Sequence, residues 1–410
     1  MLTLRYHPTK CSMNKSTFFT GQPIFSQVIN MLSGCPIKKL ARVHQGDRYC
    51  KKFRTYDHLV AMLYTIFNRC TSLREVTTGL MACETKLNHL GINYSVRRST
   101  LSDANTRRDS QIFESIYYWV YKRYHKFLPD SHSKKWDSKL YIMDSTTITL
   151  FQEILKGAGT RSINGKRKGG IKAHTLMKAD EDIPQLVKLT PSACADTSFM
   201  EEINLPKGSI LTFDKGYNNY KLLKKWDGQG VSWVSRLRKA AILEFLEDRP
   251  LTDNQTSQGV RSDQWAILGH NHHKPTKLKV RLITFFDKEK KREFQFLTNN
   301  TTLSALTISN IYKRRWQIET LFKRIKQNYP LRNFLGDSEN AIRIQIWCAL
   351  IADLLLKVIQ KQVKRHWGFV NLASMIRLHL MTYINLWQFL NCPEKTLHRA
   401  RYAPPSLFPT

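Results

Sequence analysis

The chain has 410 residues, of which 42% are hydrophobic and 24% are charged, and these globular values exclude a disordered or fibrous protein. Its length allows two or three domains, each with a buried core. The 65 lysines and arginines outnumber the 32 aspartates and glutamates, giving a net charge of +33. This excess predicts a polyanionic partner, with nucleic acid favoured over an acidic membrane.

Local patterns disfavour two further classes of protein. The longest apolar run, residues 346–356, is too short to span a bilayer and contains Asp353. No apolar signal-peptide segment follows Met1. The eight cysteines stand singly, so neither a zinc ribbon nor a disulfide framework is predicted. We therefore expect a cytosolic protein with reduced thiols and no membrane partner.

Residues 1–130 are predicted to form an all-helical domain. Apolar residues recur at steps of three and four along 25–32 and 59–67, which is the period of an amphipathic helix. Ser72 and Glu75 have the spacing of a capping box, so a helix is predicted to begin there. A polar stretch around residue 130 predicts a linker.

The pattern then changes to strands. Segments rich in β-branched and aromatic residues predict strands at 139–144, 147–151, 171–176, 185–189 and 210–213. Strands are also predicted within 230–300, on both sides of a polar stretch. Helical periodicity returns in 307–328, 340–365 and 371–391. The chain thus divides by pattern into a helical region, a strand-rich region and a second helical region.

Asp144 and Asp214 each follow a predicted apolar strand. A carboxylate at the end of a buried strand is costly unless it is paired, so each one needs a cation, a capping role or a metal ion. Either residue alone could simply cap the following loop. Two such aspartates in a strongly basic chain favour a functional site.

The predicted helix 307–328 carries a second polar group. At about 100° per residue, Tyr312, Arg315, Glu319 and Lys326 fall within an arc of about 60°. The neighbouring apolar arc is the predicted core face and contains Ile311, Ile318, Leu321, Phe322 and Ile325. A solvated Arg315–Glu319 ion pair is the simpler interpretation, and the spacing alone does not exclude it.

In type and spacing, the four polar residues resemble the Tyr-x2-Arg-x3-Glu-x6-Lys (YREK) signature of a group of insertion-sequence DDE transposases. Asp144 and Asp214 match the first and second aspartates of that family. The resemblance covers about 130–340 well and the helical N-terminal region less specifically. The long separation between Asp214 and Glu319 resembles family members in which a β-rich insertion interrupts the core.

The resemblance implies a ribonuclease-H-like α/β catalytic core, a mixed sheet flanked by helices, with a β-rich insertion. An all-helical DNA-binding domain precedes this core, and C-terminal helices follow it. The implied domains are 1–130 (N-terminal, DNA-binding), 131–229 (first part of the core), 230–300 (insertion), 301–340 (final core helix with the catalytic glutamate) and 341–410 (C-terminal helices).

The implied activity is metal-dependent DNA cleavage and strand transfer at the ends of an insertion sequence. The implied catalytic and metal-binding residues are Asp144, Asp214 and Glu319. Their carboxylate oxygens suit Mg²⁺ or Mn²⁺, and phosphodiester transfer gains from two such ions. The implied DNA contacts are Tyr312, Arg315 and Lys326. Arginine would hold a phosphate by its planar fork and lysine as a point charge.

Weaker candidates lie outside this signature. Lys172 and His174 alternate onto one face of a predicted strand and resemble a Lys-x-His stretch of the family, so they are predicted to line a DNA groove. A structured polar strand face is the alternative for both residues. Asp196 is predicted to be a helix N-cap. Trp233 or Trp265 could stack on a DNA base, although a place in the core is favoured.

The resemblance further implies double-stranded transposon-end and target DNA as partners, and a homodimer that joins two ends in a synaptic complex. The implied location is the bacterial cytosol, in association with the nucleoid. Two alternatives stay open: a metal-dependent nuclease on the same fold that does not transfer strands, and an inactive, domesticated DNA-binding protein. The intact carboxylates disfavour the inactive protein. Only an assay can distinguish the nuclease from a transposase.

Overall fold

The computed structural model describes residues 21–130, 136–149, 160–163, 166–194, 196–238, 241–269 and 277–396. The α-helices are α1 (Ile24–Asn30), α2 (Ile37–Val43), α3 (Thr55–Asn68), α4 (Leu73–Ala82), α5 (Glu84–Leu87), α6 (Arg98–Arg107), α7 (Gln111–Tyr124), α8 (Thr197–Met200), α9 (Tyr220–Gly228), α10 (Asp253–Ser257), α11 (Ala305–Arg314), α12 (Trp316–Asn328), α13 (Glu339–Gln362), α14 (Phe369–Leu378) and α15 (Leu386–Asn391). None of the helices in these ranges is long and apolar enough to cross a bilayer.

The strands are β1 (Leu140–Thr149), β2 (Thr160–Ile163), β3 (Lys166–Lys178), β4 (Pro184–Pro191), β5 (Ile210–Phe213), β6 (Ser232–Arg236), β7 (Leu243–Asp248), β8 (Val260–Leu268), β9 (Leu278–Asp287) and β10 (Arg292–Thr298). They form one ten-stranded sheet in the order β2-β3-β1-β5-β6-β10-β9-β8-β7, with β4 also paired to β3. The mixed α/β class predicted from the sequence is therefore confirmed.

The N-terminal helices and the C-terminal helices share one hydrophobic core. Helix α13 is buried along most of its length and packs against α3, α6, α7 and α14. The N-cap predicted at Ser72 is confirmed, since the Ser72 hydroxyl accepts from the Glu75 amide at 3.2 Å, but the reciprocal bond of a capping box is not formed. The Glu75 carboxylate reaches back one residue further than expected, to the amide of Thr71 at 2.7 Å.

Strand β1 lies inside the sheet and pairs differently on its two sides. It is antiparallel to β3 and parallel to β5, and β5 is in turn parallel to β6. Strands β10, β9, β8 and β7 continue the sheet in antiparallel fashion from β6. The strands predicted as an insertion in 230–300 therefore extend the sheet, and the first of them, β6, pairs in parallel with β5.

The two faces of β1 pack into different cores, because side chains alternate along a strand. Ile142 and Ile148 belong to the core that also contains Ile318 of α12. Tyr141 and Met143 belong to a second core on the opposite face of the sheet. By this alternation Asp144 lies on the face of α12, whereas Ser145 lies on the opposite face.

The helix predicted over 307–328 is divided into α11 and α12 by a turn at Arg315. Two i→i−3 hydrogen bonds tighten this turn, from the Arg315 amide to the Tyr312 carbonyl at 3.0 Å and from the Ile318 amide to the Arg315 carbonyl at 3.2 Å. The predicted core face is confirmed: Ile311, Ile318, Leu321, Phe322 and Ile325 are all buried. The helix predicted at 340–365 is confirmed as α13, but the one at 371–391 is divided into α14 and α15.

Candidate active site

Asp144 and Asp214 lie side by side at one edge of the parallel pair β1–β5. The parallel register ends at Met143 opposite Phe213, and each aspartate is the next residue of its chain. Asp214 follows the end of β5, as predicted. Asp144 does not end its strand, because β1 continues to residue 149 through its pairing with β3, where Asp144 faces Thr175. That register places the two carboxylates at a shared edge.

The Arg315 guanidinium joins two of the three predicted catalytic carboxylates. Its Nη1 donates to Asp144 Oδ2 at 2.9 Å, and its Nη2 donates to Glu319 Oε1 at 2.7 Å. The Arg315 side chain is only 12% exposed. The Arg315–Asp144 pair, with side chains 12% and 18% exposed, is screened less by solvent than a solvated i,i+4 pair, whereas the Glu319 side chain is 38% exposed. The simpler interpretation of the Arg315–Glu319 spacing therefore misses the link to Asp144.

Tyr312 connects the third carboxylate to this group. Its hydroxyl donates to Asp214 Oδ1 at 3.4 Å, and its ring centroid lies 5.7 Å from the Arg315 guanidinium carbon. Burial raises the pKa of Tyr312 to about 12, so the phenol is a neutral donor at pH 7. Tyr312 thus links Asp214 to the arginine that holds Asp144 and Glu319.

The environment of Asp144 shifts its pKa. Burial raises its pKa to about 6, and the charges of Asp214 and Glu319 also raise it. The Ser145 amide, which donates to Asp144 Oδ1 at 2.8 Å, and the Arg315 guanidinium lower it in part. Asp214 and Glu319, from distant parts of the sequence, are therefore close enough for their charges to act on Asp144.

Lys326 lies further along the same face of β1. Its ammonium group donates to Thr146 Oγ1 at 2.7 Å and to the Thr147 carbonyl at 3.0 Å. The residue is exposed, and within the described ranges its ammonium makes no ion pair. Burial of its stem lowers its pKa. Lys326 is therefore a cation near the carboxylates that has no acidic partner among the described residues.

The donor set of this site fits a hard divalent cation, because Mg²⁺ and Mn²⁺ prefer carboxylate oxygens. The present arrangement is not that of a closed metal site. In the part of the chain that the structure describes, no three or more His, Cys, Asp or Glu side chains are grouped as metal ligands. The Arg315 guanidinium lies between Asp144 and Glu319 and supplies the positive charge that both carboxylates need.

Lys172 and His174 lie on the other face of the sheet, away from this group. His174 pairs with Ser145 and Lys172 with Thr147, the positions of β1 that alternate with Asp144. The expectation that they line a DNA groove does not match this placement. His174 is fully buried, and the Lys172 side chain is only 14% exposed.

Both residues instead surround Asp196. The Lys172 ammonium lies 3.0 Å from Asp196 Oδ1, and the His174 Nδ1 lies 3.6 Å from the same oxygen. The predicted N-cap role of Asp196 is wrong: the residue precedes α8, but its side chain makes no capping hydrogen bond. Its Oδ1 accepts instead from the Ser145 hydroxyl at 3.0 Å. The signal that could have identified this group is the odd–even alternation of β3.

The aromatic side chain exposed at this site is one that sequence reasoning missed. Trp233 is fully buried, and the Trp265 ring is covered by Arg249 and Lys279, at 5.0 and 4.5 Å from its centroid. Trp316, next to Arg315, is 57% exposed, although the Lys290 ammonium also lies 5.1 Å from its ring centroid. The helical period could have predicted this exposure, because Trp316 falls at about 40° relative to Tyr312, outside the apolar arc.

A comparison with models of protein families matches residues 135–355, more than half of the chain, to the family described as "Transposase DDE domain". A second model, described as a domain of unknown function, matches residues 20–93. The first match contains all the residues of the site described above.

Three similar proteins carry transposase names. "Putative transposase y4zB" of Sinorhizobium fredii is 29% identical over 63% of this chain and 70% of its own length. "Probable transposase for insertion sequence element IS5377" of Geobacillus stearothermophilus is 28% identical over 57% of this chain and 60% of its own length. "Putative transposase for insertion sequence element IS4SA" of a Synechocystis strain is 25% identical over 70% of this chain and 78% of its own length.

Among solved structures, a piggyBac transposase synaptic complex with hairpin DNA aligns with 95% of this chain and 81% of its own chain. The sequence identity is 10% and the TM-score is 0.42, which is too low to support an argument about the fold.

Proposed function

Since this chain belongs to the transposase DDE domain family and is a DNA transposase, we propose that it cleaves the ends of an insertion sequence and transfers them to target DNA by a cut-and-paste route. This proposal rests mainly on one observation, the group of side chains around Arg315, which we call the Arg315 cluster. It gathers Asp144 of β1, Asp214 after β5 and Glu319 of α12 around one guanidinium and one phenol.

We propose that the catalytic core is ribonuclease-H-like. Three observations support this assignment. Strands β4, β3 and β1 are antiparallel neighbours, and β5 and β6 follow β1 in parallel. The two aspartates lie at the shared edge of the parallel pair. The helix that carries the third carboxylate, α12, packs against β1.

The proposed metal ligands are Asp144, Asp214 and Glu319, and the proposed ions are two Mg²⁺ or Mn²⁺. When bound, such ions would activate the attacking oxygen and stabilise the leaving oxygen of a phosphodiester. Arg315 neutralises Asp144 and Glu319 in the present arrangement and so keeps two ionised ligands together. Its planar fork also matches a phosphate, so DNA and the carboxylates compete for the same donors.

Lys326 and Tyr312 are proposed to position the DNA strand. Lys326 has no carboxylate partner within the described ranges and is fixed by Thr146 and Thr147, so its charge is available to a phosphate near the scissile bond. Tyr312 remains protonated at neutral pH and can donate to a phosphate oxygen as it now donates to Asp214. Transposition must bring the two ends of the element together before they are transferred to target DNA, so the proposed assembly is a homodimer on double-stranded DNA.

A groove beside the N-terminal helices supports a second proposed DNA contact. It has a volume of about 900 Å³ and lies between the starts of α4 and α6 and the segment that follows α12. Arg74 and Arg98 line it together with several hydroxyl groups and the carboxylate of Asp103, which is paired with Arg107. In the part of the chain that the structure describes, neither guanidinium makes an ion pair. Unpaired arginines in a polar groove suit a phosphate backbone.

Replacing Arg74 and Arg98 with alanine is expected to flatten the salt dependence of DNA binding. The slope of log K against log salt falls by about one for each phosphate that the protein no longer binds, so the double variant should lose about two units. The measurement is fluorescence anisotropy with duplex DNA over a salt series. The control is Arg365→Ala, whose guanidinium already binds Glu394 at 2.8 Å. An equal slope for the double variant and wild type would show that DNA does not enter this groove.

Replacing Trp316 with leucine is expected to lower cleavage about tenfold or more. Trp316 is 57% exposed beside Arg315, and stacking on a base contributes about 1–3 kcal/mol. Trp316→Phe should recover part of the loss, because a phenyl ring also stacks. The measurements are the cleavage rate and the fluorescence of 2-aminopurine at the terminal bases. Phe127→Leu, at an exposed ring outside the site, is the control, and an equal loss there would refute a stacking role.

The decisive experiment uses the DNA that flanks the reading frame as substrate. The purified chain is incubated with a fragment carrying both flanks and with a target plasmid, in Mg²⁺ and in EDTA. We expect cleaved ends and joined products in Mg²⁺ alone. Cleavage without joined products would favour the nuclease, and binding without either product would favour the inactive DNA-binding protein.

A further inference from the structure

The face of the sheet opposite the Arg315 cluster carries a polar group that the proposed chemistry does not use. Its members are Ser145 of β1, Lys172 and His174 of β3, and Asp196 of the segment before α8. The register pairs Ser145 with His174, so these two side chains point to the same face. Asp196 lies over this pair, and its carboxylate serves neither as a helix cap nor as a member of the Arg315 cluster.

A short chain of hydrogen bonds connects Asp196 to Asp144 through a single residue. The Ser145 hydroxyl donates to Asp196 Oδ1 at 3.0 Å, and the Ser145 amide donates to Asp144 Oδ1 at 2.8 Å. Fixing the side chain of Ser145 on one face therefore fixes the amide that orients the Asp144 carboxylate towards the other face. Groups that orient a catalytic carboxylate in this way commonly affect activity by about 10–100-fold.

The remaining members hold Asp196 in place. The Lys172 ammonium binds Asp196 Oδ1 at 3.0 Å and also donates to the Cys194 carbonyl at 3.0 Å, which ties the segment before α8 to β3. His174 is fully buried, and its Nε2 bonds Thr190 Oγ1 at 2.9 Å. Burial lowers the pKa of His174 to about 4, so it is a neutral group packed beneath Asp196. Lys172 and His174 thus contact Asp196, where the sequence had predicted that they contact DNA.

We propose that Asp196 is a positioning residue of the catalytic centre, which acts through Ser145 to orient Asp144 from the opposite face of the sheet. The proposal rests on the proposed function, because it gives Asp196 a role in the same cleavage reaction. Its effect should appear in the rate of cleavage and not in the affinity for DNA, since Asp196 and the cations around it lie away from the Arg315 cluster.

The test is a double-mutant cycle with Asp196→Ala and Ser145→Ala, measured as single-turnover cleavage at saturating DNA. We expect each variant to lose about 10–100-fold in rate with little change in the Kd for DNA measured without metal. If Asp196 acts through Ser145, the double variant should be no slower than the slower single variant. Ser145→Thr, which keeps the hydroxyl, should restore most of the rate lost in Ser145→Ala.

The controls separate positioning from folding and from the proposed function. Glu202→Ala removes another acid of the same region, which pairs with Lys188 on β4 and is not bonded to Ser145, and it should cleave as wild type does. Asp196→Asn is measured beside Asp196→Ala, with thermal unfolding of every variant, in case the alanine variant does not fold. An unchanged rate for folded Asp196 variants, or losses that multiply in the double variant, would overturn the positioning role. Failure of the wild type to cleave would instead refute the proposed function.

Discussion

Asp144→Asn is expected to lower Mg²⁺-dependent DNA cleavage about a thousandfold or more. Asp144 is the acid that touches both Arg315 and the Ser145 amide, between Asp214 and Glu319. A charged ligand at a metal-assisted phosphodiester site contributes several kcal/mol to the transition state, and about 1.4 kcal/mol corresponds to a factor of ten. The measurement is the single-turnover cleavage rate with the flanking-DNA substrate, wild type beside variant.

Asp144→Asn should lose cleavage activity without a decrease in thermal stability. Burial raises the pKa of Asp144 to about 6, above the ordinary value of 3.8. An acid with a raised pKa stabilises the fold fully below about pH 4 and loses that contribution as pH rises through 6. At pH 7 the ionised carboxylate therefore costs stability that asparagine does not. In metal-free buffer at pH 7 the variant should melt no lower than wild type, and DNA binding should survive. A cleaving Asp144→Asn variant would remove Asp144 from the proposed catalytic residues.

The group of acids was accessible from the sequence because it depends on strand ends and helical spacing. Asp144 and Asp214 are brought together because the strands before them are parallel neighbours with a fixed register. Glu319 joins them because the apolar face of α12, predicted from its period, packs against β1. Periodicity predicts the strands and the apolar helix face, whereas the expectation that the three acids meet came from the resemblance to the DDE transposase family.

The contacts of the Arg315 side chain could not be predicted from the sequence in the same way. The helical wheel assumes one continuous helix, whereas the chain turns between α11 and α12 at Arg315. An i,i+4 spacing shows that Arg315 can reach Glu319 but cannot show that it also reaches Asp144 on a strand 171 residues earlier. That contact depends on how the helix docks on the sheet, which is a tertiary property.

The roles of Lys172 and His174 illustrate a second limit. Their alternation correctly puts both side chains on one face of β3, but a period of two does not tell which face belongs to the active site. The register with β1 decides it, since Ser145 and Thr147, and not Asp144, lie opposite these residues. A shift of one residue in this pairing would have placed them beside Asp144.

Arg324→Met is expected to destabilise the fold by about 3–5 kcal/mol, because it leaves a buried carboxylate without its cation. The Arg324 guanidinium binds Asp353 of α13 through two nitrogens, at 3.2 and 3.0 Å, and also Asp182 at 2.6 Å in the turn between β3 and β4. The Asp353 side chain is 1% exposed. The Arg324 side chain therefore connects α12, the helix of Glu319, both to α13 and to the turn between β3 and β4.

The measurement is the midpoint of thermal and urea unfolding, with two comparisons that isolate the buried charge. Arg343→Ala removes another arginine, which pairs with Glu339 on α13 where both side chains are about one-third exposed, and it should cost less than about 1 kcal/mol. Adding Asp353→Leu to Arg324→Met removes the carboxylate, which would keep only the Tyr329 hydroxyl, at 3.2 Å, as a partner among the described residues, and should recover much of the lost stability. If Arg324→Met costs no more than Arg343→Ala, or if the second substitution recovers nothing, Arg324 does not act by neutralising Asp353. Recovery of stability together with cleavage would show that the single variant fails through the unpaired charge of Asp353, and that Arg324 takes no direct part in cleavage.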